Sequence, residues 1–203
     1  MNVLIACEQS GRVRDQFILK GHNAISCDVL ASTSDNDNPH IIGDALEVIR
    51  SQKWDLIIAF PPCTYLTAGG AVRMYPKAGQ IDPIRYKKAI EAKKLFMSIY
   101  ESDCEKIAIE NPKPLRVVGL PQKTQVIQPY EFGEPYSKMT YLWLKGLPNL
   151  QPTNVLTEYQ PLINGGGGRL NGKNYAGKSF ASGSKARSLT FMGIAQAMAN
   201  QWG

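Results

Sequence analysis

Short apolar runs alternate with segments of helical periodicity along the first half of the chain. The runs are Asn2 to Ala6, Ala24 to Cys27, Leu56 to Phe60 and Glu105 to Ile109. Their length and the turn residues around them are typical of buried strands. Between them, apolar residues at helical spacing predict helices over 11–20, over 45–52 and from Asp82 onward. The alternation predicts an α/β fold with a doubly wound, mostly parallel sheet.

The longest predicted helix begins at Asp82-Pro83, because proline fits the first turn of a helix. The residues expected to face the sheet are Ile84, Ala89, Ala92, Leu95, Phe96 and Ile99. The residues expected to face solvent are Arg85, Lys87, Lys88, Lys93 and Lys94. The helix is therefore predicted to be amphipathic, with a basic outer face.

The remaining segments complete the predicted layout. Residues 64–81 show no persistent period and are expected to form a mobile loop over the site. Within 126–147 we expect two short strands around the turn at 133–135, the second of them, with Tyr141 and Trp143, forming an antiparallel edge. Residues 154–187 are expected to be a flexible, glycine-rich basic loop. A helix over 190–202 is expected to pack on the sheet.

The composition fits one domain covering residues 1–203. Apolar residues make up 43% and charged residues 20%. No apolar run reaches the length of a membrane span, so we expect a cytoplasmic protein without membrane association. The four cysteines include no CxxC pair, and neither histidine is near a cysteine in sequence. We therefore expect reduced thiols, no metal site and no disulfide framework.

The charge of the chain favours a polyanionic partner. Its formal net charge is +6, and no Asp or Glu occurs from Tyr159 to Gly203. Five cations interrupt the glycine-rich segment: Arg169, Lys173, Lys178, Lys185 and Arg187. Such a segment suits a phosphate backbone, which predicts a nucleic-acid partner. A solvated loop of incidental charge is the alternative.

Cys63 and Glu110 each follow a predicted buried strand. Pro61 and Pro62 stop the first strand stiffly and make Cys63 a candidate nucleophile, with a small buried turn cysteine as the alternative. Consecutive parallel strands joined by a crossover helix usually lie side by side, and ligands bind beyond their carboxyl ends. We therefore expect Cys63 and Glu110 to share one crevice.

Two further acids follow apolar segments. Asp28 stands at the position where folds of this kind hold a ribose hydroxyl. Asp44 could accept a hydrogen bond from an adenine amino group, cap the helix that starts at Ala45, or do both. The first turn carries only Gly11 where a full GxGxxG would bind phosphates, which favours a nucleoside cofactor without a phosphate chain.

One reaction that uses a thiolate and a carboxyl group without a metal or a histidine is methylation of cytosine at carbon 5. That carbon becomes nucleophilic when a thiolate adds to carbon 6 of the ring. An acid near ring nitrogen 3 then relieves the negative charge that the addition creates. Cys63 and Glu110 match these two needs.

The sequence also resembles a known family. Residues 60–63 with Thr67 look like the Pro-Cys motif of DNA cytosine-5 methyltransferases, and 110–112 look like their Glu-Asn-Val motif. The stretches similar to motifs of that family or of its small phage-borne members are 127–133, 133–138, 138–148 and 193–203. The resemblance implies a Rossmann-like fold of the S-adenosylmethionine-dependent methyltransferase type, without a full target-recognition domain.

The resemblance implies a role for each matching residue. Cys63 would be the nucleophile, Glu110 the acid at nitrogen 3, and Asn111 would hold the turn of its motif. The residues implied to bind S-adenosylmethionine are Ala6, Cys7, Glu8, Ser10, Gly11, Asp28, Asp44, Phe60 and Pro61. Together with the charge pattern, the resemblance predicts nucleic-acid contacts from Thr67, Arg73, Lys138, Arg169 and Lys173.

These expectations combine into a DNA cytosine-5 methyltransferase that acts through a covalent Cys63 adduct. Its partner would be duplex or single-stranded DNA, with RNA as an open alternative and a protein partner for target choice as a further possibility. Two other interpretations stay open. One is methyl transfer to an exocyclic amine, and the other is a non-catalytic protein of the same fold that binds nucleic acid or S-adenosylmethionine.

Overall fold

A computed structural model describes residues 1–161, 168–170, 173–175 and 189–203, with the backbone alone at 161, 168–170 and 173–175. The strands are β1 (Asn2–Ala6), β2 (Asn23–Asp28), β3 (His40–Ile42), β4 (Leu56–Ala59), β5 (Ile107–Pro112), β6 (Gln125–Ile127), β7 (Tyr136–Ser137), β8 (Thr140–Lys145), β9 (Gln160–Pro161), β10 (Gly168–Leu170) and β11 (Lys173–Tyr175). The α-helices are α1 (Arg12–Leu19), α2 (Ala45–Ser51), α3 (Ala71–Met74), α4 (Pro83–Tyr100) and α5 (Met192–Trp202). Short 3₁₀ helices cover Ala68–Gly70, Arg116–Val118 and Pro129–Glu131.

Seven strands form one sheet in the order β3-β2-β1-β4-β5-β8-β6. The pairs from β3 through β5 are all parallel, and β8 runs antiparallel between β5 and β6. The predicted mostly parallel sheet with an antiparallel edge region is confirmed. The edge strand itself is β6, because β8 hydrogen-bonds to a neighbour on each side.

The two faces of the sheet carry different helices. Alternate strand residues point to opposite faces, so each central strand contributes to both cores. Leu4 and Ile57 pack with α2 and α4, whereas Ile5 and Ile58 pack with α1 and α5. This arrangement confirms the doubly wound fold and explains why the strands read as continuous apolar runs.

The predicted faces of α4 were wrong at its first turn. Ile84 is 71% exposed, whereas Arg85 is half-buried. Ala89, Phe96 and Ile99 are fully buried, as predicted. Because a residue four positions before Ala89 lies on the same side of a helix, Arg85 and not Ile84 continues the buried stripe.

Residues 64–81, predicted to form a loop, contain ordered helical structure. The segment holds the 3₁₀ helix Ala68–Gly70 and then α3. Leu66 and Met74 are fully buried and anchor it to the core. The predicted loop over 154–187 lies mostly outside the described residues. In its described part, β10 and β11 pair antiparallel. In the described part of the chain, none of the helices has the length and apolar character needed to cross a membrane.

Candidate functional site

Cys63 lies in a tight turn directly after β4. Its carbonyl oxygen accepts hydrogen bonds from the backbone N–H groups of Leu66 and Thr67, both at 3.0 Å. Leu66 is fully buried, and Pro61 before the turn is buried as well. The turn is thereby fixed to the core at both ends, and it holds a half-buried thiol at the carboxyl edge of the sheet.

Glu110 lies on β5, the strand beside β4. β5 continues through Pro112 instead of ending at Ile109 as predicted, because residues 110–112 pair with β8. The Oε1 atom of Glu110 is buried and has no hydrogen-bond partner in the described structure. Burial raises the pKa of this carboxyl group, and the positive charge of Lys138 opposes the shift. A raised pKa favours the protonated carboxyl, which can donate a hydrogen bond.

Cys63, Glu110 and Lys138 form one electrostatic group. Burial raises the pKa of the Cys63 thiol, the negative charge of Glu110 raises it further, and the positive charge of Lys138 lowers it. The structure thus brings Cys63 and Glu110 close enough for the ionisation of one to affect the other.

A small pocket opens beside Glu110. Its cavity volume is about 20 Å³, which is room for about one water molecule. Its lining residues are Phe60, Glu110, Ile127, Lys138, Thr140, Leu189, Thr190, Phe191, Ile194 and Met198. Cys63 is not part of that lining, so its thiol lies beside the pocket.

Asn111 points to the opposite face of the sheet from Glu110, because side chains alternate along a strand. It is fully buried. Its Nδ2 atom donates to the carbonyl oxygen of Pro112 at 2.6 Å, whereas its Oδ1 atom is buried without a partner among the described residues. Asn111 therefore lies within a strand, and it does not contribute to the pocket that Glu110 lines.

Glu8 holds the first turn of α1. The helix begins after Gly11, which has no side chain for capping and adopts φ 71°. The buried Glu8 carboxylate instead accepts from the backbone N–H groups of Val13 at 2.7 Å and Arg14 at 3.3 Å. Ser10 donates to the same carboxylate at 3.3 Å. Burial raises the pKa of Glu8, and these hydrogen bonds oppose the shift.

Cys7 lies in a left-handed backbone conformation with φ 57°, alone among the described non-glycine residues. Burial raises the pKa of its thiol to about 12, and the negative charges of Cys27, Asp28 and Asp44 add to the shift. Cys7 therefore lies near both predicted cofactor acids, at the carboxyl edge of the sheet. Ala6, before it, is fully buried in the core.

Asp28 and Asp44 each use one carboxylate oxygen for local backbone structure. Asp28 Oδ1 accepts from the Leu30 N–H at 3.0 Å. Asp44 Oδ1 accepts from the N–H groups of Leu46 at 2.7 Å and Glu47 at 3.2 Å. Asp44 therefore caps α2, which was one of the two roles predicted for it. The apolar side chains of Val29 and Ile42, next to these acids, are 72% and 64% exposed.

The predicted nucleic-acid residues lie in different settings. Thr67 Oγ1 accepts from the Gly69 N–H at 3.4 Å and caps the 3₁₀ helix. Arg73 is exposed on α3, and Lys138 lines the Glu110 pocket. The side chains of Arg169 and Lys173 lie outside the described residues. Phe60, predicted to lie against an adenine, lines the Glu110 pocket, and its backbone N–H donates to the Ala6 carbonyl oxygen at 3.0 Å.

Sequence reasoning missed two features near the site. Arg85 donates from Nη2 to the carbonyl oxygen of Thr64 at 2.8 Å, and its guanidinium lies 5.0 Å from the centre of the Tyr65 ring. Its spacing from Ala89 was the signal that could have revealed it. Thr190 and Phe191 line the Glu110 pocket because α5 begins at Met192, two residues later than predicted.

Among the described side chains, no group of three or more His, Cys, Asp or Glu residues is arranged to hold a metal ion.

Comparison with known proteins found likeness at the level of structure only. No protein-family model matches the chain, and no curated protein matches it significantly. A protein described as a DNA modification methyltransferase encoded within an Escherichia coli prophage is similar at 14% identity and a TM-score of 0.43, covering 76% of this chain and 51% of its own. An Entamoeba histolytica methyltransferase is similar at 15% identity and a TM-score of 0.45, covering 77% and 57%.

The Dnmt2 methyltransferase of S. pombe is similar at 15% identity and a TM-score of 0.40, covering 79% of this chain and 52% of its own. The chain thus spans about half the length of the solved proteins that it matches. Likeness at this level assigns neither a family nor an activity to the chain.

Proposed function

We propose that this protein transfers a methyl group from S-adenosylmethionine to carbon 5 of a cytosine in DNA, through a covalent bond to Cys63. The observation that carries the proposal is the proximity of Cys63 and Glu110 at the carboxyl edge of the sheet, where the negative charge of Glu110 raises the pKa of the Cys63 thiol. Glu110 also has a buried oxygen without a partner in a pocket lined by the Phe60 ring. A ring nitrogen of a flat heterocycle would supply the partner that this oxygen lacks, and the lining residues would have to move apart to admit the ring.

The residues around Cys7 fit a nucleoside cofactor. Asp28 and Asp44 each direct one oxygen to the backbone, and the second oxygen of each can accept from ribose hydroxyls or an adenine amino group. Exposed Val29 and Ile42 offer apolar contacts to a base. S-adenosylmethionine carries a sulfonium cation, which two nearby carboxylates favour, and when bound it supplies an electrophilic methyl group. Glu8 would act indirectly, by fixing the turn.

In this proposal, the Cys63 thiolate adds to carbon 6 of the cytosine, and the electron pair of the 5,6 double bond is displaced toward ring nitrogen 3. Protonated Glu110 donates its proton to nitrogen 3 as that nitrogen gains charge. Carbon 5 then takes the methyl group. Loss of the carbon 5 proton to solvent breaks the bond between sulfur and carbon 6, and the nitrogen 3 proton returns to Glu110.

The charges of the group favour the protonation states that this reaction needs. Ionised Glu110 raises the pKa of Cys63, so a proton on Glu110 makes the thiolate easier to form. Lys138 lowers the pKa of Cys63 and thereby also favours the thiolate. The reactive state therefore has a protonated Glu110, an ionised Cys63 and a positively charged Lys138.

The test is incubation of the full chain with S-adenosylmethionine labelled in its methyl group and with cytosine-containing duplex DNA, single-stranded DNA or RNA. Mass spectrometry of the digested nucleosides identifies the product. The proposal expects 5-methylcytosine in DNA, its loss in Cys63→Ser, and a loss of at least about 100-fold in Glu110→Gln.

The same experiment separates the alternatives. Label on an exocyclic amine, or label that persists in Cys63→Ser, contradicts the covalent route. 5-Methylcytosine found only in RNA would identify RNA as the substrate and would still support the covalent chemistry. No label on any substrate, while nucleic acid or S-adenosylmethionine still binds, indicates a non-catalytic protein.

A further inference from the structure

A group of exposed cations borders the Cys63 turn on the α4 side. We call Lys88, Lys113 and Arg116 the basic rim; all three side chains are exposed. The Lys88 ammonium lies 5.5 Å from the centre of the Tyr65 ring, two residues after Cys63. The rim therefore begins beside the turn that carries the proposed nucleophile.

Backbone hydrogen bonds fix the other half of the rim to the same turn. The Ala68 N–H donates to the Lys113 carbonyl oxygen at 2.8 Å, and the Leu115 N–H donates to the Leu66 carbonyl oxygen at 2.7 Å. Arg116 follows immediately and begins a 3₁₀ helix. The segment from 63 to 68 is thus close to Lys88 through the Tyr65 ring and to Lys113 and Arg116 through backbone hydrogen bonds.

The charge of this region is not neutralised by acids. Residues 64–100 contain seven Lys or Arg and two Asp or Glu, and residues 111–123 contain three Lys or Arg and no acid. One of the two acids, Asp82, accepts from the Arg85 N–H at 2.6 Å and caps α4. In the described structure the one salt bridge joins Arg14 to Asp15, so no rim cation has a carboxylate within 4.0 Å.

We propose that the basic rim binds the phosphates of the nucleic-acid strand that carries the target base. This inference rests on the proposed function for its choice of ligand. Cations without carboxylate partners, next to the turn that carries the proposed nucleophile, complement the negative charge of a polynucleotide backbone. The rim lies on fixed elements next to the Cys63 turn, and it is separate from the glycine-rich segment that the sequence had suggested for this task. The turn that the rim borders follows β4, the strand that pairs with the Glu110 strand β5.

The experiment compares two variants that lose equal charge. The rim variant carries Lys88→Gln, Lys113→Gln and Arg116→Gln. The control variant carries Lys20→Gln, Arg50→Gln and Lys53→Gln. These three exposed cations lie near the C-terminal ends of α1 and α2, before the amino ends of β2 and β4, whereas the Cys63 turn follows the carboxyl end of β4. Each set removes three positive charges, so the net charge falls from +6 to +3 in both.

Binding of fluorescent cytosine-containing single-stranded DNA, duplex DNA and single-stranded RNA is measured by anisotropy over a range of salt concentrations. We expect the rim variant to lose about tenfold or more in affinity at low salt. The slope of log K against log salt concentration should become shallower by about two to three. The control is expected to stay within about twofold of the wild type. The three ligands identify which polynucleotide the rim prefers.

Two results overturn the inference: wild-type affinity in the rim variant, or equal losses in both variants, which would reflect net charge alone. Equal thermal unfolding midpoints for the two variants exclude misfolding as the cause. Methylation is assayed separately. If the wild type binds nucleic acid through the rim but transfers no methyl group, the proposed function is contradicted and the rim inference is supported. If the rim variant binds and methylates as the wild type does, the rim inference is contradicted and the proposed function is supported.

Discussion

The guanidinium of Arg85 donates a hydrogen bond to the carbonyl oxygen of Thr64, the residue that follows Cys63, at 2.8 Å. The same group lies over the Tyr65 ring and close to Gly70, where an added Cβ would be 2.6 Å from Nη2. Arg85 thus joins the first turn of α4 to the turn that carries the proposed nucleophile. It is a positioning residue, because it acts through the backbone of that turn.

Replacing Arg85 by Ala is expected to lower the free energy of unfolding by about 1–2 kcal/mol, because a charge-assisted hydrogen bond and a ring contact are lost. Lys87→Ala, on the exposed face of the same helix, is expected to change it by less than about 0.5 kcal/mol. Urea unfolding of both variants measures the difference. Equal stability of the two would show that the Arg85 contacts contribute nothing net.

Glu110→Gln is expected to gain stability relative to the wild type as pH rises above about 4.5. Burial raises the pKa of Glu110 in the folded state above its ordinary value of 4.5. The folded protein therefore binds this proton more tightly than the unfolded chain does. The resulting stability is complete below pH 4.5 and is lost as pH rises through the folded-state pKa.

Glutamine does not titrate, so the variant escapes this loss. Glu8, whose pKa is also raised by burial, is present in both proteins and cancels in the comparison. The measurement is urea unfolding of both proteins at several pH values from 4 to 8. A stability difference that stays constant over this range would contradict the burial of an unpaired carboxyl group.

We expect the rate of Cys63 alkylation to depend on the charges of Glu110 and Lys138. Glu110→Gln should speed the reaction with iodoacetamide at a fixed pH near 8, because the negative charge that raises the thiol pKa is removed. Lys138→Met should slow it, because Lys138 lowers that pKa. Peptide mapping by mass spectrometry follows each cysteine separately.

Cys7 is the internal control for this experiment. Its pKa is raised to about 12 by burial and by Cys27, Asp28 and Asp44, not by Glu110. Its slow labelling should therefore be the same in all three proteins. If Cys63 reacts at one rate in the wild type and both variants, the thiol does not interact with Glu110 and Lys138, and the proposed catalytic pair is lost.

Gly193→Ala is expected to destabilise the protein by about 1–3 kcal/mol, although alanine is the better helix former. An added Cβ at Gly193 would overlap the carbonyl oxygen of Phe132, which is a backbone atom and cannot rotate away. The Gly193 N–H also donates to Glu134 Oε1 at 3.1 Å, which holds the start of α5. Thermal unfolding measures the effect.

Gly43→Ala is the matched control, since the nearest atom to an added Cβ there is a side-chain carbon of Ile41 at 3.9 Å. Its melting temperature should stay near that of the wild type. A Gly193→Ala protein as stable as this control would show that the 129–135 segment moves away from α5 without cost.

The sequence predicted the sheet well because strand and helix periods are local signals. Runs such as Asn2–Ala6 and the Asp82-Pro83 helix start are specified by neighbouring residues alone. The continuation of β5 through Pro112 was missed because it depends on pairing with β8, about 30 residues later. Long-range pairing of this kind leaves little trace in a short window of sequence.

The site was predictable where a rule that depends on neighbouring residues applies. Asp44 before Ala45 indicated a helix cap, and the structure has that cap. Buried polar side chains were harder, because one residue type serves several purposes. Glu8 was assigned to a cofactor from its motif, and no signal in the sequence indicated that its carboxylate also holds the N-terminus of α1. Arg14 was not singled out, although it is fully buried and binds Ser26, Asn36 and Asp15.

Glu110 and Asn111 occupy successive positions of one strand and therefore face opposite sides of the sheet. Deletion of a single residue earlier in β5 would bring Asn111 to the position of Glu110, presenting an amide in place of a titratable acid and moving the acid into the packed layer under α4. Engineering of this strand must therefore preserve its register. Any homologue with a shifted register there would need a different proton donor.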